Sequence, residues 1–360
     1  MMEWLRPSLR LLQPYETNEP FWRIKLDANE NAFGLPAAVA EKVAEAISRV
    51  SLNRYPEIAA SKLRQAIAEF WGLAKEDILV GNGSSELIAA ACLAFGGTGR
   101  SIVFPEPSFS MYPIYARLAD SLPVPVLLGP DFTLSPAGFI AAAKKSNAGL
   151  VILCNPNNPT GTVYSLEAIR TVAGGVSCPV LVDEAYMEFA GEFAGGAISQ
   201  LLKETPNLMV ARTFSKAYGL AAARVGYLAA RRETAEAVAK VLLPYHVNAF
   251  SLAAAEAVFA ARSCIRPVVS AIVEERERLA GSLANISGVR VFPSGTNFLL
   301  CRVPDADVLI QGLAEAGIGV RRPGNSPALS GCVRVTVGTP AENDAFLTAV
   351  RYIITGKTGG

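Results

Sequence analysis

The residues best placed for chemistry in this sequence are a lysine, two hydroxyls and an arginine gathered at the end of one apolar run. Leu208-Met209-Val210 is followed by Thr213-Phe214-Ser215-Lys216, and Arg224 lies eight residues beyond Lys216. A lysine amine at the mouth of a buried strand can attack an aldehyde. Thr213, Ser215 and Arg224 are of the types that hold a dianionic phosphate separately from that amine. A Ser-Lys pair taken alone reads as an ordinary solvated loop, so its meaning depends on what lies upstream.

Two stretches supply that context. Pro179-Val180-Leu181-Val182-Asp183-Glu184-Ala185-Tyr186 is an apolar strand that ends on an acid about thirty positions before the lysine. The carboxyl end of a buried parallel strand faces the crevice in which open α/β sheets bind ligands, and a carboxylate there is costly unless it is paired. Helix capping is the alternative use of Asp183. A protonated pyridine nitrogen would serve as the partner and would keep the ring electron-withdrawing. Gly149-Leu150-Val151-Ile152-Leu153 runs into Cys154-Asn155-Pro156-Asn157-Asn158-Pro159-Thr160-Gly161. Prolines flanking Asn157 and Asn158 fix a turn and leave an amide suited to a phenolate oxygen. An amine, a phosphate cup, a pyridinium partner and a phenolate partner together describe pyridoxal 5'-phosphate.

Asn158-Pro159-Thr160-Gly161, Asp183-Glu184-Ala185-Tyr186, Ser215-Lys216 and Arg224 occur in an order and spacing that resemble the fold-type I pyridoxal-phosphate aminotransferases. Within them the chain is similar, nearly end to end, to the histidinol-phosphate aminotransferases. The closer matches are Leu26-Asp27-Ala28-Asn29-Glu30-Asn31, Asn53-Arg54-Tyr55-Pro56, Met111-Tyr112-Pro113 and Ser330-Gly331-Cys332-Val333-Arg334-Val335-Thr336-Val337-Gly338-Thr339. The resemblance implies a transaminase moving an amino group between glutamate/2-oxoglutarate and histidinol phosphate/imidazole acetol phosphate, in histidine biosynthesis. It makes Lys216 the cofactor-linked proton carrier, sets Asp183 on the pyridine nitrogen, and brings Tyr186 and Asn158 to the ring hydroxyl oxygen. Phe109 takes the ring-stacking position, where many relatives have tyrosine, and stacking needs only a ring face.

The Gly81 to Glu86 loop joins an apolar strand to a helix expected near Leu87, so the amides of Ser84 and Ser85 would face an anion at a helix N-terminus. They would complete a phosphate cup with Thr213, Ser215 and Arg224. Relatives often carry an acid where this chain has Ser85, a change that leaves a backbone contact intact. Tyr55 matches a family tyrosine that reaches the neighbouring subunit's cofactor, which implies a homodimer. Arg334 resembles the family's carboxylate-binding arginine, whose planar fork suits a carboxylate or a phosphate. Arg321, Tyr15 and Asn29 stand at further substrate-contact positions. The rival readings are an aromatic amino acid transaminase, a decarboxylase of O-phosphothreonine, and a non-catalytic regulator. About 25 residues before the Asp27 string leave little room for an appended DNA-binding module.

Positioning these residues requires a sheet. Apolar strand candidates fall at 78–80, 101–104, 124–128, 150–153, 180–183, 208–212 and 225–229, alternating with helical stretches, which implies a mostly parallel seven-stranded sheet flanked by helices. Val39, Val43, Ile47 and Val50, then Leu63, Ile67 and Phe70 ending at Gly72, have helical spacing. After Pro244 the pattern changes to two long helices, about 250–262 and 267–285. Strands near 289–292, 297–303, 318–321 and 332–337 follow, with helices at 307–316 and 340–353. The expected architecture is therefore α/β, with a large cofactor-binding domain over 30–245 and a smaller α+β domain from 1–29 and 246–360.

Composition narrows the function classes. The chain has 360 residues, 51% of them hydrophobic, enough for two cores. Thirty-three basic against 32 acidic residues give no electrostatic case for nucleic acid or an anionic membrane. The six cysteines show no C-x-x-C spacing and read as buried apolar residues of a reducing compartment. No signal peptide or membrane span is evident, so a cytoplasmic location is the default. His246 is the sole histidine, which disfavours zinc-hydrolase and serine-triad chemistry; it is expected beside the site or at a domain joint. Gly356-Lys357-Thr358 lacks the first P-loop glycine, and Gly81 to Glu86 lacks the third glycine of a dinucleotide fingerprint.

Overall fold

The computed structural model describes residues 4–10, 12–13, 21–191 and 201–356. Its large sheet is built from β2 (Ile78–Gly81), β3 (Ser101–Glu106), β4 (Leu122–Leu127), β5 (Ala148–Cys154), β6 (Val180–Asp183), β7 (Leu208–Thr213) and β8 (Gly226–Ala230). The short β1 (Ile24–Lys25) precedes them. In the sheet the strands lie in the order β2-β8-β7-β6-β5-β3-β4. β4, β3, β5, β6 and β7 pair in parallel, and β8 runs antiparallel to both β7 and β2. The seven strands expected from sequence are the seven observed here.

The central strands are apolar on both faces because helices cover both. Val151 and Leu153 of β5 join one apolar cluster with Val180, Val182, Leu208 and Val210. Their alternating neighbours Leu150, Ile152 and Cys154 join another with Leu181, Met209 and Ala211. That is the period of two of a strand buried on both sides. At the edge, β4 reads Leu122-Pro123-Val124-Pro125-Val126-Leu127, with Leu122, Pro125 and Leu127 exposed and Val124 and Val126 packed on the core. Prolines, which cannot donate to a ladder, are tolerated at such an edge.

The second body contains β9 (Arg290–Val291), β10 (Phe298–Arg302) and β12 (Cys332–Thr336) in an antiparallel sheet of order β12-β10-β9. β1 pairs in parallel with β11 (Ile318–Gly319), so the amino-terminal segment is stitched into this body. The helices Ala306–Glu315 and Pro340–Thr355 supply Leu309, Leu313, Phe346, Leu347 and Val350 to its core.

The helix Ala249–Ala260 falls within the expected second domain, yet its Leu252, Val258 and Phe259 pack in the large-sheet cluster. The next helix, Arg266–Ala284, gives Val269 and Ile272 to that cluster and Leu279 and Leu283 to the smaller core. We therefore place the joint within Arg266–Ala284. The change of pattern after Pro244 marks where strand–helix alternation stops, not where the burial partner changes.

Candidate active site

β3 is the switch point of the large sheet: the chain continues outward to β4 on one side and resumes at β5 on the other. Ligands of open α/β sheets sit at the carboxyl ends of strands near such a point. The carboxyl ends of β3, β5, β6 and β7 deliver Phe109, Asn158, Asp183 with Tyr186, and Thr213 with Lys216. One cavity is lined by Ser84, Ser85, Phe109, Asn158, Asp183, Tyr186, Thr213, Ser215, Lys216 and Arg224, together with Cys154 and Ala185. Every residue assigned to the cofactor from sequence is present except Tyr55.

Ser84 and Ser85 open the helix Ser84–Phe95, which starts three residues earlier than expected, with Gly83 as its N-cap at φ 82°. A Cβ on Gly226 would lie 2.3 Å from the Ser84 amide nitrogen; glycine in β8 is what lets the helix start press against the sheet. On the other wall of the cup the Thr213 hydroxyl donates to Ser215 Oγ at 3.0 Å, and Arg224 Nη1 donates to the same oxygen at 3.2 Å. Arg224 has a left-handed backbone, φ 54°, a strained state for an arginine that tertiary packing must hold. First-turn amides, two hydroxyls and a guanidinium form an anion cup.

Asp183 is buried, and among the described residues no cation pairs with it. Tyr112 Oη donates to its Oδ2 at 2.8 Å and the Ala185 amide to its Oδ1 at 3.3 Å. Burial pushes this carboxyl up to about 6, against the lowering effect of those two donors. Lys216 Nζ donates to the Ala28 carbonyl at 2.9 Å. Burial first, then the cations Arg334, Arg224 and Lys25, pull its amine down to about 7, with Glu30 opposing. Burial holds the Tyr186 phenol at about 12, despite Arg334 and the Asn29 hydrogen bond. At neutral pH, then, Tyr186 keeps its proton while Lys216 gives its up readily.

A second cavity opens directly off the first and shares Phe109, Asn158, Tyr186 and Lys216 with it. Its remaining lining includes Asp27, Asn29, Ser108, Arg321, Arg322 and Arg334. Arg334, in β12, donates from Nη1 to Asn158 Oδ1 at 2.8 Å and from Nη2 to the Asp27 carbonyl. Because Asn158 Oδ1 accepts from Arg334, its Nδ2 is left as the donating end. Arg321 is joined to Arg334 by a pair of backbone hydrogen bonds. Asn29, at φ 54°, donates from Nδ2 to Tyr186 Oη at 3.0 Å, and its own backbone is held by Thr336 and Asn297.

Tyr55 lies outside both cavities, 80% exposed and stacked on Tyr245 at 4.4 Å. Tyr15 lies outside the described residues. His246 lines neither cavity but flanks the cup, its Nε2 3.0 Å from the Val80 carbonyl and 3.6 Å from Glu86 in the first turn of the Ser84–Phe95 helix. Sequence reasoning missed Tyr112, Asp27 and Arg322, although Tyr112 and Asp27 stood in strings it had quoted. It also missed a buried cluster behind the site, in which Arg212 pairs with Glu184 at 2.7 Å and Glu188 at 3.1 Å and lies 4.8 Å from the Trp71 ring centroid. Arg212 directly precedes Thr213, and Glu184 directly follows Asp183, so the cluster ties the ends of β6 and β7 together.

The family described as aminotransferase class I and II matches residues 23–350. A histidinol-phosphate aminotransferase of Thermoanaerobacter pseudethanolicus is 38% identical over 350 residues, 97% of this chain and 98% of that protein. One of Thermococcus gammatolerans is 40% identical over 352 residues, 98% of each. This chain belongs to the class I and II aminotransferases. Among solved structures, the histidinol-phosphate aminotransferase of Sinorhizobium meliloti in complex with pyridoxal-5'-phosphate superposes with a TM-score of 0.90 at 28% identity, covering 99% of both chains.

The residues present fit the family's cofactor. The inner cavity brings an anion cup and an easily deprotonated lysine together with a buried carboxylate that lacks a cation. A phosphorylated pyridinium aldehyde complements all three.

Proposed function

We propose that this aminotransferase moves an amino group between L-glutamate/2-oxoglutarate and L-histidinol phosphate/imidazole acetol phosphate, in histidine biosynthesis. The observation that carries the reading is the position of Lys216, on the shared wall of an anion cup and an arginine-lined cavity. The names and full-length similarity of the relatives support the choice of substrate pair. When bound, pyridoxal 5'-phosphate supplies the carbonyl carbon that accepts the amino group and a ring that withdraws electrons from the reacting centre.

The protein's own groups do the rest. The cup of Ser84, Ser85, Thr213, Ser215 and Arg224 holds the cofactor phosphate, and Phe109 covers a ring face. Asp183 keeps the ring nitrogen protonated, while the Asn158 amide and the Tyr186 hydroxyl donate to the ring oxygen. An amine brought down to about 7 leaves Lys216 free to take a proton from the substrate carbon and return it at neutral pH. Arg334 and Arg321 hold the anionic end of each substrate, a carboxylate in glutamate and a phosphate in histidinol phosphate. With the acceptor's anion fixed at the same guanidinium, both half-reactions use one site.

Tyr55 completes the cup of a second copy in a homodimer. Its support is exposed apolar surface: Tyr55 stacks on Tyr245, which lines one groove with the exposed Ile58 and Leu243.

The test compares amino donors against 2-oxoglutarate: histidinol phosphate, phenylalanine, tyrosine and O-phosphothreonine. Histidinol phosphate should give the highest kcat/KM, and Lys216→Ala should abolish turnover. A preference for phenylalanine or tyrosine would replace the substrate assignment. Release of CO₂ from O-phosphothreonine would replace the reaction.

A further inference from the structure

The outer cavity is rich in cations, with Lys216, Arg321, Arg322 and Arg334 on its wall, yet it also contains one carboxylate that the anion-binding scheme leaves unused. That carboxylate is Asp27. Its Oδ2 accepts from the Trp22 indole nitrogen at 3.2 Å, and its backbone carbonyl accepts from Arg334. Its Oδ1 is shielded from solvent and has no hydrogen-bond partner. A shielded carboxylate oxygen without a donor is expensive, and in a substrate cavity it points to a donor that arrives with the substrate.

We infer that Asp27 is a specificity residue that accepts a hydrogen bond from the imidazole N–H of the substrate. This rests on the reading of histidinol phosphate as a substrate. The chemistry favours that group over the alternatives. An imidazole has at least one N–H in every protonation state, and two when cationic. A phenyl ring has none and would leave Oδ1 unsatisfied. The side-chain carboxylate of glutamate would be repelled, so the glutamate half-reaction draws nothing from Asp27 and must lean on the arginines. The same residue thus favours the imidazole substrate and disfavours an aromatic one, since a site built to pair with a donor rejects the analogue that lacks it.

The experiment uses the cofactor-loaded protein and measures kcat/KM for the half-reaction with each of two donors, histidinol phosphate and glutamate. The variants are Asp27→Asn and Asp27→Leu. Loss of a hydrogen bond to a charged acceptor predicts a fall of roughly 10- to 100-fold for histidinol phosphate in Asp27→Leu. Glutamate should be unchanged within about threefold or improved, because a like charge has been removed. Asp27→Asn retains one acceptor oxygen for two donors, Trp22 and the imidazole. A neutral imidazole can accept from the new amide by changing tautomer, whereas its cation cannot. The penalty of Asp27→Asn should therefore deepen as pH falls below the imidazole's own pKa, a profile that a misplaced Arg334 or a loosened amino-terminal segment would not produce.

An equal loss for both donors would overturn the inference, as would an unchanged histidinol phosphate rate in both variants. If Asp27→Leu fails to fold, Asp27→Asn and its pH profile decide the matter alone. Failure of the underlying reading looks different: the unaltered protein would then not turn over histidinol phosphate at all.

Discussion

Asp183 should destabilise the protein whenever the cofactor is absent, and Asp183→Asn measures by how much. Its carboxyl is buried with one tyrosine hydroxyl and one amide as donors and rises from 3.8 to about 6. That displacement corresponds to about 3 kcal/mol of differential interaction. Because the folded value lies above the unfolded one, nothing is lost at low pH, where both states hold the proton. The cost grows as pH climbs from about 4 to about 6 and is complete above that. The asparagine stays neutral throughout and can still accept from Tyr112. Equilibrium urea unfolding of cofactor-stripped protein should therefore find Asp183→Asn more stable by up to about 3 kcal/mol at pH 7.5, narrowing to about 1 kcal/mol at pH 4.5. Adding pyridoxal 5'-phosphate should reverse the order, since only the carboxylate gains a pyridinium partner. A variant that is less stable than the parent by the same amount at both pH values would refute the reasoning.

Two further outcomes follow from the same geometry. Arg212→Met removes the cation that pairs with both Glu184 and Glu188, whose side chains are almost fully buried; it should cost about 3–5 kcal/mol by urea unfolding, and Glu184→Gln with Glu188→Gln should restore most of it. Mixing Lys216→Ala chains with Tyr55→Ala chains should regenerate activity that neither has alone, because one site of each mixed dimer would then be intact. Inactivity of a mixture verified to contain heterodimers would place Tyr55 outside the partner's site.

The strands and the strand-end positions of Asp183, Asn158 and Lys216 were legible in the sequence because the physics that specifies them is local, whereas Phe109 and Tyr186 were placed by the family resemblance. Leu150 to Cys154 and Val180 to Val182 are short apolar runs that lead directly into polar residues, Asn155 and Asp183. Runs of that kind, alternating with helical stretches, leave little freedom except a parallel sheet with its ligand at the strand ends. The start of the helix at Ser84 was less legible. Gly83 supplies the N-cap by its positive φ rather than by a side chain, so no capping residue announced the boundary. The joint between the two bodies was not readable from composition, since Ala249–Ala260 is apolar enough to pack on either and only its neighbours decide.

What the sequence could not display are pairings between residues far apart in the chain. Tyr112 reaches Asp183 across 71 positions and Asn29 reaches Tyr186 across 157; neither distance leaves a trace in local spacing. Such links explain why the quoted strings contain more than their chemically obvious members. In Asp27 to Asn31, the residue that meets Tyr186 is Asn29, held at φ 54° by Thr336 and Asn297, while the Asp27 carbonyl accepts from Arg334. One short segment, anchored to the smaller body by β1, thereby touches Tyr186 on one side and Arg334 on the other. Movement of the smaller body relative to the sheet would carry Asp27, Asn29 and Arg334 together and would shift their contacts with Tyr186 and Asn158. Arg334 and Tyr186 are thus linked through one short segment, by the Asp27 carbonyl and the Asn29 side-chain amide.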